Sequence, residues 1–366
     1  MLRLGITGGF GFLGWHFRAH VHADKEIETV PAGRESFSGS DALAEFVHDK
    51  DAIVHLAGMN RGEEAEIEAT NIALTRNLIE ACERGQARPH IVFANSTHSS
   101  RDTAYGRSKR QSADMLSSWA ARTGARFTNL VIPGAFGEGG RPFYNSVVST
   151  FCHQLANGEM PKIIEDREID LVHAQTLAAR IVSIVRRTET GTVRIPGHVM
   201  RVSALLDRLK IMAKEYSAHV LPSVSDRFGL ELFNTYRSYL FPNYYPVALD
   251  RRSDVRGSLF EVVKTLHGGQ CFFSTTKPGV TRGNHYHTAK IERFLVAQGE
   301  AVIRLRRLFS KEVHEYCVSG DRPVYIDMPT FYTHDITNVG SGELLTLFWA
   351  HEIFDPNRPD TNPEQM

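Results

Sequence analysis

The run GVTRGNHYHTAKIERFLVAQG, from Gly279 to Gly299, leaves a chain of this kind the fewest folds to choose from. In an extended strand successive side chains alternate faces, so His285 and His287 project to one side, and after a turn Glu292, Phe294 and Val296 share the face opposite them. Two imidazoles and a carboxylate are thereby brought together. Further on, PTFYTHDITN places Tyr332 and His334 two apart on another strand. Three histidines and one glutamate suit a borderline divalent ion such as Zn, Fe, Mn or Ni. A lone H-x-H is ordinarily a pair of surface histidines, so the surroundings have to decide.

Those surroundings are informative. Gly279, His285, His287, Glu292 and Gly299 are spaced G-x5-H-x-H-x4-E-x6-G, which resembles the first cupin motif without a departure. The segment from Pro329 through His334 to Asn338 is similar to the second, with Phe331 where that family usually has glycine. The resemblance implies an all-β cupin barrel in which His285, His287, Glu292 and His334 hold a metal, with Zn the first choice. Lys290 has the parity of Glu292, and Tyr332 stands two residues before His334. Both are candidate acid–base groups, with orienting a ligand or simple packing as the alternatives.

A chain of 366 residues is comfortable for two domains. Lys plus Arg equals Asp plus Glu, 42 against 42, so no global field favours nucleic acid or an anionic membrane surface. Cys82, Cys152, Cys271 and Cys317 lie far apart without C-x-x-C spacing, which argues against a disulfide framework and for a reducing, cytoplasmic compartment. There is no basic-then-apolar leader and no apolar run of membrane-spanning length, so membrane insertion is not expected.

The N-terminal part alternates strand and helix, which predicts a doubly wound parallel sheet of Rossmann type. After the strand at 2–7, TGGFGFLG sets Gly8, Gly11 and Gly14 in a turn that runs through Phe12 and Leu13 into a helix. Such a turn lets the backbone approach a pyrophosphate, whose charge meets free amides at the helix start. The strand ETVPA ends in Gly33-Arg34 instead of an acidic residue, which points to the extra phosphate of NADP, with a solvated loop charge as the alternative. DAIVHLAG closes on Leu56, Ala57 and Gly58, small enough at its end for close approach of a cofactor. HIVFANST is followed by Tyr105-Gly-Arg-Ser-Lys109. Residues four apart share a helix face, and a cation beside a phenol is expected to lower its pKa.

TGGFGFLG, DAIVHLAG, ANST and YGRSK, in this order over the first 240 or so residues, resemble the extended short-chain dehydrogenase/reductase family. The resemblance implies Tyr105 as proton donor, Lys109 as its electrostatic partner and ribose anchor, and Ser96, with Thr97 in reserve, beside the substrate oxygen. Only eight residues separate Ser96 from Tyr105, fewer than most relatives have. Val131 and Gly134 stand where relatives usually have arginine and asparagine, so substrate contacts are sought in Arg141, Tyr144 and Asn145, for which helix capping is the competing role.

PNYYP, Pro242 to Pro246, breaks the texture, and the chain divides there into domains 1–243 and 244–366. DVRGSLFE is similar to a segment of the nucleotide-linked keto-deoxyhexose epimerases, making Arg256 a substrate candidate, a strand-edge charge being the alternative. With GRPFYNSVVSTFCHQLANG, RGNHYH and LFWAHEIFDPNRPDT, the whole chain is similar to the bifunctional capsular-polysaccharide enzymes on the route to UDP-N-acetyl-L-fucosamine. That resemblance implies C3 epimerisation of UDP-2-acetamido-2,6-dideoxy-β-L-arabino-hexos-4-ulose by the C-terminal domain, then NADPH-dependent C4 reduction by the N-terminal one, in a homodimer built through the cupin domains. Two other readings stay open: a cupin oxygenase fused to a reductase, and a cupin that serves only for dimerisation and ligand binding.

Overall fold

The computed structural model of the chain describes residues 1–37, 40–255, 257–266 and 268–366. These form two compact units that are discontinuous in sequence: Met1–Phe136 with Ile169–Val199, and Gly137–Glu168 with Met200–Met366. Among the described residues no helix is long and apolar enough to cross a membrane.

The first unit is organised by six parallel strands in the order Ile27–Ala32, Leu2–Thr7, Ala52–His55, His90–Ser96, Phe127–Ile132, Gly191–Arg194. Ala52–His55 is buried along its whole length, as a strand covered on both faces must be. Each face has its own core. On one, Phe17 and Val21 of the helix Phe12–Val21 meet Leu177, Ile181 and Ile184 of Ala174–Arg187; on the other, Phe46, Leu78, Leu116 and Trp119 come from three further helices. The doubly wound parallel sheet read from the sequence is therefore present. Chain order departs from spatial order at Leu2–Thr7, which lies between Ile27–Ala32 and Ala52–His55, and a crevice beyond the carboxyl ends of such strands is where this architecture takes ligands.

The second unit holds the helices Val147–Ala156, Val202–Ser217 and Arg227–Leu240 and two five-stranded antiparallel sheets. One sheet runs Val247–Ala248, Val324–Met328, Glu292–Gln298, Leu344–Ala350, Gln270–Thr276; the other runs Val313–Ser319, Glu300–Arg307, Tyr332–Asn338, Thr281–Tyr286, Asn362–Pro363. Phe294, Ile326, Met328 and Phe348 of the first share a core with Ala301, Ile303, Leu305 and Ile336 of the second. No hydrogen-bonded ladder among the described residues joins the sheets into a closed barrel.

The helices before Pro242 pack with the strands after it, for a reason the periodicity of residues 170–240 does not reveal. Arg293 and Asp327, both fully buried on neighbouring strands, pair at 2.6 and 2.9 Å, and the Tyr216 hydroxyl at the end of Val202–Ser217 donates to Asp327 at 2.5 Å. Arg237 of the next helix donates to the Met328 carbonyl at 3.4 Å, and Asn234 to the Ala289 carbonyl at 2.8 Å. Removing one partner of such a buried ion pair costs roughly 3–5 kcal/mol, because the other charge is left uncompensated.

Candidate functional site

In the first unit the glycine turn follows Leu2–Thr7. Gly8 has φ +68°, and a Cβ on it would lie 2.8 Å from the Ala57 nitrogen; a Cβ on Gly14 would come within 2.3 Å of the Gly8 carbonyl. Those two positions require glycine for different reasons, backbone sign and helix contact. Gly11 caps the helix that begins at Phe12 and Leu13 without a side-chain hydrogen bond, so the helix start offers main-chain amides to an anion. Leu56 donates its amide to the Thr7 carbonyl at 3.1 Å and Ala57 to the Thr7 hydroxyl at 3.3 Å, which holds Leu56, Ala57 and Gly58 against the turn. Arg34 is exposed just past Ile27–Ala32, beside the turn, since Gly9 donates to the Ala32 carbonyl at 3.3 Å.

Tyr105 and Lys109 lie on the helix Ala104–Thr123, whose start is fixed by the Thr103 hydroxyl accepting from the Gly106 amide at 3.1 Å. Lys109 is buried and donates to the Ala94 carbonyl at 2.7 Å, with its ammonium 4.7 Å from the Phe93 ring and 5.7 Å from that of Tyr105. Burial brings its pKa down to about 8. The expected depression of Tyr105 is not found. Burial pushes that phenol up, and the Ser96 hydroxyl pulls it only partly back, because at this separation a desolvated Lys109 turned toward Ala94 does not dominate. The short link between Ser96 and Tyr105 is taken up by a 3-10 turn, Thr97–Ser100, with Ser96 accepting from the His98 amide at 3.2 Å.

In the second unit His285, His287, Glu292 and His334 converge, one donor atom of each lying within 4.8 Å of all the others. His285 is the penultimate residue of Thr281–Tyr286 and pairs with His334 on Tyr332–Asn338, while Glu292 opens a strand of the opposite sheet. Alternation is locally broken: the register shifts between Gly283 and His285, with Gly283 at φ +108° and Asn284 at φ +59°. The bulge aims His285 inward.

Both ring orientations that matter are fixed from behind. The His287 Nδ1–H donates to the Asp360 carbonyl and that of His334 to the Tyr332 carbonyl at 3.1 Å; a carbonyl only accepts, so each ring turns its Nε2 lone pair toward the cluster. Glu292 Oε2 is 3.0 Å from His287 Nε2 and 3.6 Å from His334 Nε2, and the His334 nitrogen is buried without a hydrogen-bond partner. An orphaned imidazole nitrogen facing a buried carboxylate and two more imidazoles is the donor set a divalent cation takes. Burial would raise the Glu292 carboxyl, but its contacts with His287 and His334 outweigh that and keep it ionised. Burial lowers His334, and burial together with His334 and His287 brings His285 to about 4, which favours the neutral, ligating form of these two rings.

Phe331, in the place of the expected glycine, takes φ +64° and makes the same left-handed turn. The cost of about 1–2 kcal/mol is set against complete burial of its ring and an amide that donates to the His287 carbonyl at 2.8 Å.

The cluster opens on a cavity of about 420 Å³ with apolar walls of Phe272, Phe294, Ile336 and Phe348. Lys290 enters it from a turn, not from a strand, with its ammonium 3.1 Å from the Thr361 hydroxyl. Tyr332 does not line it: its ring packs on Phe241, 4.6 Å between centroids. Arg141, Tyr144 and Asn145 are exposed in the loop before Val147–Ala156, where Arg141 sits over the Tyr144 ring and the capping role falls to Ser146. Arg256 lies outside the described residues. Sequence reasoning missed Glu352, Arg358, Asp360 and Thr361, which line the cavity from the segment after the last long strand; the charged, proline-containing run FDPNRPDT was the available signal.

Residues 4–195 match the NAD dependent epimerase/dehydratase family and residues 252–362 the polysaccharide biosynthesis C-terminal domain. A UDP-2-acetamido-2,6-beta-L-arabino-hexul-4-ose reductase of Pseudomonas aeruginosa is 34% identical over 363 residues, covering 97% of this chain and 96% of its own. The spore coat polysaccharide biosynthesis protein SpsL of Bacillus subtilis is 26% identical over 122 residues, 31% of this chain and 81% of its own. Among solved structures, the capsular polysaccharide assembling protein CapF of Staphylococcus aureus has 32% identity and a TM-score of 0.65, with 99% of this chain and 100% of that one covered. With its glycine turn and Tyr105–Lys109 helix in the matched region, the chain belongs to the NAD dependent epimerase/dehydratase family and continues into a polysaccharide biosynthesis C-terminal domain.

Proposed function

We propose that the chain carries two active sites used in sequence on a UDP-linked 4-keto-6-deoxy amino sugar: inversion at C3 in the C-terminal unit, then reduction at C4 with NADPH in the N-terminal one. The observation that carries this is the convergence of His285, His287, Glu292 and His334 on a sugar-sized cavity that Lys290 enters, in a chain whose other unit has the reductase constellation. The relative that is a keto-sugar reductase along its whole length supports it. Two antiparallel sheets packed face to face are how a cupin is built, which supports that reading of the C-terminal unit, and the same reading pairs two copies through it.

The C3 proton is removable because it lies beside the C4 carbonyl. Lys290 takes the proton while the C3–H electron pair moves into the enolate, and water on the opposite face gives a proton back to C3, the hydroxide left behind taking the proton that Lys290 holds. His285, His287, Glu292 and His334 would hold a divalent ion, Zn by donor type, which supplies Lewis-acid polarisation of the keto oxygen when bound. In the N-terminal unit the glycine turn and Leu56–Gly58 would bind the dinucleotide, which would supply hydride, and Arg34 would pair with its 2′-phosphate. Tyr105 gives its proton to O4 as the alkoxide forms, Ser96 orients that oxygen, and Lys109 fixes the ribose. Arg141, Tyr144 and Asn145 are proposed to contact the sugar nucleotide.

NMR of the ketose incubated in deuterated water tests the order. Without NADPH, deuterium should enter C3 and nothing should be reduced; with NADPH, the C3-inverted, C4-reduced sugar should form. Reduction without prior exchange at C3 would leave the C-terminal unit without a catalytic part.

A further inference from the structure

Asp355 and residues 358–361 line the C-terminal cavity before the chain pairs with Thr281–Tyr286 through Asn362–Pro363. There one side chain gathers an unusual set of donors. Asp360 Oδ1 accepts from the Thr288 amide and hydroxyl, both at 2.8 Å, and Oδ2 accepts from the Ala289 and Lys290 amides, both at 2.7 Å. Three consecutive amides on one carboxylate lock the 288–290 turn, since rotating any of these peptides breaks a charged hydrogen bond. From the other side Asn234 holds the Ala289 carbonyl at 2.8 Å, so the turn is pinned through both its donors and its acceptor.

The same residue reaches the metal-type cluster. The Asp360 carbonyl takes the His287 Nδ1–H, and its neighbour Thr361 takes the Lys290 ammonium at 3.1 Å. Lys290 lies outside any strand and still projects into the cavity, which sheet alternation cannot explain and the clamped turn does. A base and an electrophilic centre that act on adjacent carbons have to be held at a fixed separation, and displacements of an ångström are costly. Here one short segment holds both.

We propose that Asp360 is a positioning residue which, through the 288–290 turn and the His287 ring, sets both the hold of the cluster on a divalent ion and the placement of Lys290 in the cavity. This rests on the reading of that site as a metal-bearing epimerase centre. Outer partners of metal-ligating histidines typically govern affinity by about 10–100-fold.

The test uses the full chain, stripped of metal and titrated with Co2+ against a competing chelator, the visible Co2+ absorption reporting coordination. Asp360→Ala should bind Co2+ at least about tenfold more weakly with an altered band. C3 deuterium exchange should lose kcat more than it gains KM, while the metal-free protein melts close to wild type. Asp360→Asn keeps one acceptor oxygen and should fall between the two; if the alanine variant does not fold, the asparagine variant against wild type decides. Wild-type Co2+ affinity and exchange in both variants would overturn the proposal. Failure of the wild-type chain itself to bind Co2+ would instead defeat the underlying reading, so the two failures are distinguishable.

Discussion

The two sites are built from opposite materials. The N-terminal one is largely backbone: glycines that clear space, helix-start amides, and carbonyls such as that of Ala94 which take up the lysine. The C-terminal one is a ring of side chains, drawn from two sheets and held from behind by carbonyls. A backbone site fails when an atom is added and a side-chain site fails when one is removed. The first site is assembled from short contiguous runs, Gly8–Gly14, Leu56–Gly58 and Tyr105–Lys109, and the second from side chains taken singly, such as those of His285 and Asp360, 75 residues apart.

Gly14→Ala is expected to have the largest effect. Its Cβ would meet the Gly8 carbonyl at 2.3 Å and the Gly9 Cα at 2.6 Å, so the helix must shift and NADPH binding, followed by fluorescence, should be lost. Co2+ affinity should not change; a joint loss would show that the two sites are not independent. Next, Tyr105→Phe should cut reduction by about 10²–10⁴-fold, the usual range for a positioned proton donor, with NADPH binding and C3 exchange intact. His334→Ala should do the converse, losing C3 exchange and Co2+ binding while NADPH still binds. Full exchange in that variant would reduce the cluster to a scaffold.

A smaller effect is expected at Arg34. A charged hydrogen bond contributes about 1.5–3 kcal/mol, so Arg34→Ala should erode the preference for NADPH over NADH by roughly 10–100-fold in kcat/KM. An unchanged ratio would give the phosphate to another residue.

A further effect is the pH dependence of stability in the first unit. Burial holds His55 at about 3, with Lys109 adding to it, and burial with Arg126 holds His90 at about 4, against about 6.5 for a histidine in the unfolded chain. Their folded values are depressed, so the unfolded state binds more protons below pH 6.5. Stability is full above that value and declines as pH falls toward 4, by up to about 1.4 kcal/mol per unit for each fully buried ring. Urea midpoints between pH 7 and 5 should show it, and His55→Asn should make the slope shallower.

Features that depend on neighbours along the chain could be read from the order of the residues. Alternating strands and helices gave the parallel sheet, and the glycine turn, Leu56–Gly58 and the Tyr105–Lys109 pair are each set by a few adjacent residues whose backbone geometry is local. His285, His287 and Glu292 of the candidate metal cluster were legible for the same reason, since H-x-H and the spacing to Glu292 are short-range, whereas His334, 42 residues further on, came from the likeness of its segment to a second motif. The remaining features depend on which distant segments meet. Tyr332 has the right parity but lies against Phe241, and Lys290 is inward because Asp360 clamps its turn. Tyr105 is raised because burial outweighs a cation directed elsewhere, and the helices 202–240 join the C-terminal strands through a buried ion pair. Periodicity specifies the face a side chain takes on its own element; desolvation and long-range pairing, which no short window of sequence contains, fix what that face meets.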